Sequence, residues 1–216
     1  MAKNGYKMID AELHVMEPVD LWDNYIADEF KDRAPRRMAE GHWDIRTLVE
    51  GEMMAYVPSI DPHYNRGSSV EDKVLWNRYK EDIERNFDPQ SVVLAMKKEG
   101  LDLAVLFPTS GMYVTAMNGM DPRFAAATCV AYNNWLYDYM QAGDPSITFG
   151  AGIVSPHDVE SAVIERPAIT RRRMPIVMYA RRLLFGSRLF KERTRRRSGL
   201  TLLAVRSFIS SSVMRY

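Results

Sequence analysis

Between Asp88 and Val154 the chain repeats one arrangement twice: a helix opened by Asp-Pro and closed by Gly, then a short apolar run. Asp88-Pro89 predicts a helix through Lys98 ending at Gly100, with proline in the first turn, where its missing N–H costs nothing. Leu101 to Pro108 (LDLAVLFP) is apolar almost throughout, as a parallel strand covered on both faces must be. Asp121-Pro122 opens a second, longer helix through Tyr132 and Trp135 to Met140, closed by Gly143. Ile147 to Val154 is the next buried strand, and His157-Asp158 begins a third helix. Strands alternating with helices of this length specify an α/β fold built on a parallel sheet.

The text before Asp88 is less regular. Tyr6 to Val15 reads as a strand closed by Glu17-Pro18, and Asp20 to Phe30 as a helix with Leu21, Tyr25 and Ile26 on one face. Trp43 to Val57 alternates around Glu50-Gly51 as a β-hairpin does, Asp61 to Gly67 is loop, and Val70 to Arg85 is a charged helix. Residues 18–87 thus form an insertion between the first strand and the regular part.

Charge divides the chain. From Glu165 onward there are fourteen Lys and Arg against two acids, Glu165 and Glu192, leaving 15 basic and 26 acidic residues before that point. Thirteen of the fourteen are Arg, Pro167 and Pro175 are expected to break helices, and no Asp follows Asp158. The boundary falls inside the third helix, so residues 1–164 read as one portion and 165–216 as an atypical, irregular basic tail. Arg-rich, Asp-free text is what GC-rich coding sequence gives in a shifted frame; a selected polyanion-binding arm, which ordinarily mixes Lys with Arg, is the alternative. Cys129 is the sole cysteine, which excludes an intrachain disulfide and a thiolate metal cluster. The opening MAKNGYKMIDAELHV lacks an apolar core, and Leu200 to Val213 holds Arg206 and four serines, so neither a secretion signal nor a membrane span is expected and the reading is cytoplasmic.

Chemistry concentrates at the end of the first strand, in Glu12-Leu13-His14. Residues i and i+2 of a strand point to one face, so a carboxylate and an imidazole can reach one ion there. That donor pair suits Zn²⁺, or Mn²⁺ as a harder alternative. The pair is expected on one face at the C-terminal end of a central strand. His42 reads as solvated beside the hairpin, His63 as a loop residue with a mouth-lining position as the lesser alternative, His157 as a helix-start residue and Cys129 as a core thiol.

The stretch Ile9-Asp10-Ala11-Glu12-Leu13-His14-Val15-Met16-Glu17-Pro18, with Asp20-Leu21-Trp22 and Tyr25 after it, resembles the opening of the amidohydrolase-related family that includes aminocarboxymuconate semialdehyde decarboxylase and the resorcylate-type decarboxylases. Arg33-Ala34-Pro35-Arg36, Gly100 to Pro108 and Ala131 to Leu136 (AYNNWL) match as well, so the resemblance covers about residues 6–164. It implies the N-terminal portion of a TIM (β/α)8 barrel of the metal-dependent hydrolase type, with Glu12 and His14 as metal ligands at the mouth. The usual first-strand pattern is His-x-His or Asp-x-His; Glu-x-His occurs among decarboxylase-like members, which leans the reaction towards carbon–carbon lysis and leaves hydrolysis open. In such enzymes the metal polarises substrate oxygens or acidifies a bound water. The substrate implied is a small carboxylated or aromatic compound.

The family's remaining donors, a His after strand five, often one after strand six and an Asp after strand eight, have no counterpart in this text. A barrel of this kind needs about 250 residues, and the expectation is a truncated, inactive chain prone to self-association through exposed sheet edges. Neither a membrane nor a nucleic acid is expected as partner. The competing reading is a non-catalytic α/β fragment whose basic tail binds polyanions.

Overall fold

The structure is a computed structural model, and it describes residues 5–37, 47–54, 77, 80–115, 117–171, 174 and 176–177. Its centre is a run of parallel strands. β1 (Ile9–His14) pairs with β5 (Leu103–Phe107), which pairs with β6 (Thr148–Gly150); β7 (Gly152–Ile153) pairs with β8 (Ile176–Val177), all in parallel. Only Ala151 separates β6 from β7, and its N–H still bonds the Leu106 carbonyl at 2.7 Å, so the two pieces continue one strand. The spatial order is therefore β1, β5, β6 with β7, β8. The described residues form a mixed α/β fold on a parallel sheet.

The helices between these strands begin as their sequences dictate. In α3 (Pro89–Glu99) the Asp88 carboxylate accepts from the Ser91 N–H at 2.8 Å, and in α5 (Pro122–Ala142) Asp121 accepts from Arg123 N–H at 3.1 Å, each just ahead of the first-turn proline. α6 (Val159–Arg171) is capped in the same way by Asp158, which accepts from Ser161 N–H at 2.9 Å and from its hydroxyl. Helix and sheet approach so closely that a Cβ on Gly150 would lie 2.6 Å from Leu136 Cδ2, and one on Gly152 2.6 Å from Ile169 Cγ2. Glycine is the residue that permits this packing at both positions.

Register sorts the strands into two faces. Ala104 and Leu106 lie in the large core with Trp22, Phe124, Tyr132 and Leu136, on the side of the helices. Phe107 and Ala151, with Val105 against them, form a separate small cluster. Residues alternate along a strand, so Leu103, Val105 and Phe107 face away from the helices, together with their register partners Ile9, Phe149 and His14.

The insertion holds a second, antiparallel sheet of β2 (Arg36–Arg37), β3 (Thr47–Val49) and β4 (Glu52–Met54). Glu50 and Gly51 turn the hairpin, both at positive φ (49° and 86°), as a two-residue type I′ turn requires. The rest of the hairpin expected over Trp43 to Val57, the Asp61–Gly67 loop, most of the Val70–Arg85 helix, His42 and His63 lie outside the described residues; α2 (Lys80–Glu84) is its visible end.

Several expectations need correcting. The helix expected over Asp20 to Phe30 is broken: α1 (Leu21–Tyr25) stops because Ile26 and Ala27 turn extended, and a 3-10 helix follows over Asp28–Arg33. The break sinks Ile26 into the core while the 3-10 turn buries Phe30. Ser110 leads into a short helix, α4 (Gly111–Val114), that the sequence did not announce. Pro167, expected to break a helix, lies inside the third one, which runs to Arg171. Burial of Ile169 against Gly152 holds the segment past the proline, and the Met174 N–H bonds the Ile169 carbonyl at 3.2 Å. β1 is an edge strand of the described sheet rather than a central one.

Candidate metal site at the strand ends

β1 carries an irregularity that decides how its side chains are presented. Asp10 pairs with Ala104 and Leu13 with Leu106, so Ala11 and Glu12 together stand opposite Val105. The extra residue is a β-bulge, and the Glu12 N–H leaves the ladder to bond the Asp10 carboxylate at 2.9 Å. Past the bulge His14 pairs with Phe107, their rings 6.3 Å apart. Glu12 and His14 thus sit at the C-terminal end of β1, on the face turned away from the helices, and both are exposed.

His14 is held in a definite orientation. Its Nδ1 stands 2.7 Å from the carbonyl oxygen of Pro108, at the end of the neighbouring strand. A carbonyl only accepts, so Nδ1 carries a proton and donates it, and in the neutral ring Nε2 is then the nitrogen whose lone pair a ligand would take. This is the arrangement by which metal-binding histidines are commonly oriented. Glu12 adds a carboxylate two residues away. A carboxylate and an oriented imidazole fit a divalent ion, but they are two donors. Among the described residues no group of three or more His, Cys, Asp or Glu is placed to hold a metal.

The loops behind the pair are fastened by Glu17, which the sequence marks only as the exit from the first strand. Its buried carboxylate accepts from the N–H groups of Thr109 (2.9 Å), Ser110 (3.0 Å) and Gly111 (2.9 Å) and from the Ser110 hydroxyl (3.0 Å). The Thr109 hydroxyl donates to Val15 O at 2.6 Å. The segment after β1 is thereby bound to the segment after β5, including the carbonyl that orients His14. Asn133 does similar work from α5: its amide accepts from Ile153 N–H and donates to Ile153 O, both at 2.8 Å. No local pattern marks either residue, since their partners lie 92–94 and 20 residues away.

Other candidates are not brought to this site. His157 follows β7 with its N–H on the Ser155 hydroxyl at 3.2 Å, and its Nε2 is buried without a partner. Cys129 is buried, and its thiol pKa is pushed up by burial first and by the Glu165 charge second, the opposite of what a nucleophile needs. It borders a cavity of about 160 Å³ between α5 and α6 with Ser155, Ser161 and Glu165, small for a substrate pocket.

No family model matches the chain, and no curated protein matches it. Among solved structures it is similar to the crystal structure of an amidohydrolase from Mycobacterium avium subsp. paratuberculosis K-10, with a TM-score of 0.57 and 18% identity over 80% of this chain and 49% of that one. At that identity the likeness is one of fold, and the chain spans about half the length of the solved protein. Among the described residues no helix is long and apolar enough to cross a membrane.

Proposed function

We propose that this chain carries strand-end metal ligands of a divalent-metal-dependent hydrolase or decarboxylase of the amidohydrolase-related type, acting on a small carboxylated or aromatic compound. The observation that carries the reading is the His14 Nδ1–H bond to Pro108 O, which leaves Nε2 as the ring nitrogen a ligand would take, two residues from Glu12. When bound, a divalent ion there supplies Lewis acidity to substrate oxygens. The chain's own residues hold the donors in place: the bulge lifts Glu12 out of the ladder, and Glu17 fixes the loop that orients His14. The decarboxylase-like members set by the Glu-x-His pattern are the favoured class, with Zn²⁺ the favoured ion. Two donors do not make a catalytic centre, so a single copy of the chain is expected to lack turnover.

Equilibrium dialysis against Zn²⁺ tests the site. Glu12→Gln and His14→Ala should each lower affinity by at least about tenfold, while helical circular dichroism stays unchanged because both side chains are exposed. Binding unaltered by both substitutions would remove the reading. Hydrolysis or decarboxylation of a carboxylated aromatic by monomeric chain, abolished by Glu12→Ala, would overturn the expected inactivity.

A further inference from the structure

The irregularity in β1 is confined to two residues. Asp10 is in register with Ala104 and Leu13 with Leu106, and between them Ala11 and Glu12 share the place across from Val105. Bulges are uncommon between parallel strands, and where they occur beside a site they re-aim a side chain. The cause here is local. The Asp10 carboxylate accepts from the Glu12 N–H at 2.9 Å, a bond closed two residues along the same strand. An aspartate that bonds its own backbone in this way offers the N–H an alternative to the sheet ladder.

The two candidate ligands are therefore held by different means. His14 is back in register, across from Phe107, and its ring is oriented by the Pro108 carbonyl. Glu12 has left the ladder, and its backbone N–H holds Asp10 instead. Asp10 is not itself placed as a ligand, because its register partner Ala104 lies in the helix-side core, on the face opposite to Phe107 and His14. We propose that Asp10 is a positioning residue: its carboxylate keeps the bulge in β1, and the bulge sets how Glu12 meets an ion bound at His14. The role rests on the metal reading above. Ala11 is the residue that makes the bulge possible. Without it, simple alternation would still put Ile9, Glu12 and His14 on one face and Asp10 and Leu13 on the other, with the ladder unbroken. The extra residue changes the aim of Glu12 and leaves its face as it was.

Equilibrium dialysis of the full chain against Zn²⁺, with urea unfolding and amide hydrogen exchange, separates positioning from simple stability. Asp10→Ala should lower Zn²⁺ affinity about tenfold and speed exchange of the Glu12 amide. Asp10→Asn, which keeps an acceptor oxygen, should restore both. Deletion of Ala11 should lower affinity as Asp10→Ala does, while the unfolding midpoint holds or rises because the ladder is made regular. A purely structural role would not give that split. Zinc binding that depends on Glu12 and His14 but is unchanged in Asp10→Ala overturns the positioning role and leaves the metal reading standing. An Asp10→Asn chain as weak as Asp10→Ala also overturns it, since the charge and not the acceptor would then be at work. Should Asp10→Ala fail to fold, the Ala11 deletion decides, and full affinity in that variant overturns the role. Wild-type chain that binds no zinc, or binds it equally well in Glu12→Gln and His14→Ala, removes the metal reading and the role with it.

Discussion

The two faces of the parallel sheet differ in how finished they are. Towards the helices, Ala104 and Leu106 of β5 are fully buried among Trp22, Phe124, Tyr132 and Leu136, and glycine at 150 and 152 lets strand and helix backbones close up. On the opposite face the same strand offers Leu103 and Val105 half-buried, beside an exposed Ile9. A strand apolar on both faces, carrying a complete core on one and a partial core on the other, has a sequence written for more cover than the described residues supply. The candidate metal ligands belong to the unfinished face. What holds them is a set of polar bonds at the strand ends instead of packing, and the contrast between packed and polar support can be tested directly.

The largest effect is expected at Glu17. Glu17→Ala leaves the N–H groups of Thr109, Ser110 and Gly111 without their acceptor in a buried place, and a small side chain cannot bring in enough water to replace it. The expected loss is about 3–5 kcal/mol in urea unfolding, measured at fixed chain concentration so that any self-association is held constant. Glu17→Gln, which keeps one acceptor oxygen, should lose less. It should also loosen His14, read as altered exchange of its ring resonances, since the loop it fastens holds the Pro108 carbonyl. A loss under about 1 kcal/mol for Glu17→Ala would show that the rim is not supported in this way.

A matched pair on β5 measures the two faces themselves. Leu106→Ala removes a fully buried side chain from the helix-side core and should cost about 3 kcal/mol. Leu103→Ala makes the same chemical change three residues away on the other face, and in the monomer should cost about 1 kcal/mol. Equal costs in the monomer would erase the distinction between the faces.

What the sequence announced and what it withheld follow from the range of the interactions. Asp88-Pro89, Asp121-Pro122 and Asp158 signal helix starts because a cap is made within three residues, and Glu50-Gly51 signals the hairpin because the turn is its own cause. The apolar text of residues 101–108 signals a buried strand, though not which face is covered. The break at Ile26 and the helix continuing through Pro167 were not legible. Each depends on a distant partner, the core beneath Ile26 in one case and Gly152 beneath Ile169 in the other. At the candidate site the i, i+2 spacing places Glu12 and His14 together at one strand end, and it is the family resemblance that singles them out as ligands. The bulge that carries Glu12, the backbone carbonyl that orients His14 and the loop clamp of Glu17 were not legible, because their partners come from a strand more than ninety residues away.

The smallest expected effect concerns the finished face, through the cap of α3. Asp88 is half-exposed; partial burial on its own would raise its carboxyl pKa, but the Arg85 guanidinium and the Ser91 N–H and hydroxyl outweigh that and hold it below its ordinary value of 3.8. A carboxyl with a depressed folded-state pKa stabilises the fold while ionised, so its contribution is complete above the unfolded-state value and is lost as pH falls through the folded one. The chain should therefore unfold more easily below about pH 4, and Asp88→Asn, which caps without ionising, should flatten the part of that slope due to this group. Asp88→Ala removes the cap at all pH values and should cost about 1 kcal/mol near neutrality, discounted towards the lower end because the site is open to solvent and the Arg85 pair is screened. The loss should appear in unfolding of the helix-side core, and should leave the affinity for Zn²⁺ at Glu12 and His14 where it was, since α3 packs on the face they do not occupy. An acid profile identical in wild type and Asp88→Asn would mean that this cap adds nothing pH-dependent. A fall in Zn²⁺ affinity in Asp88→Ala would mean that the two faces are coupled more tightly than their separate clusters imply.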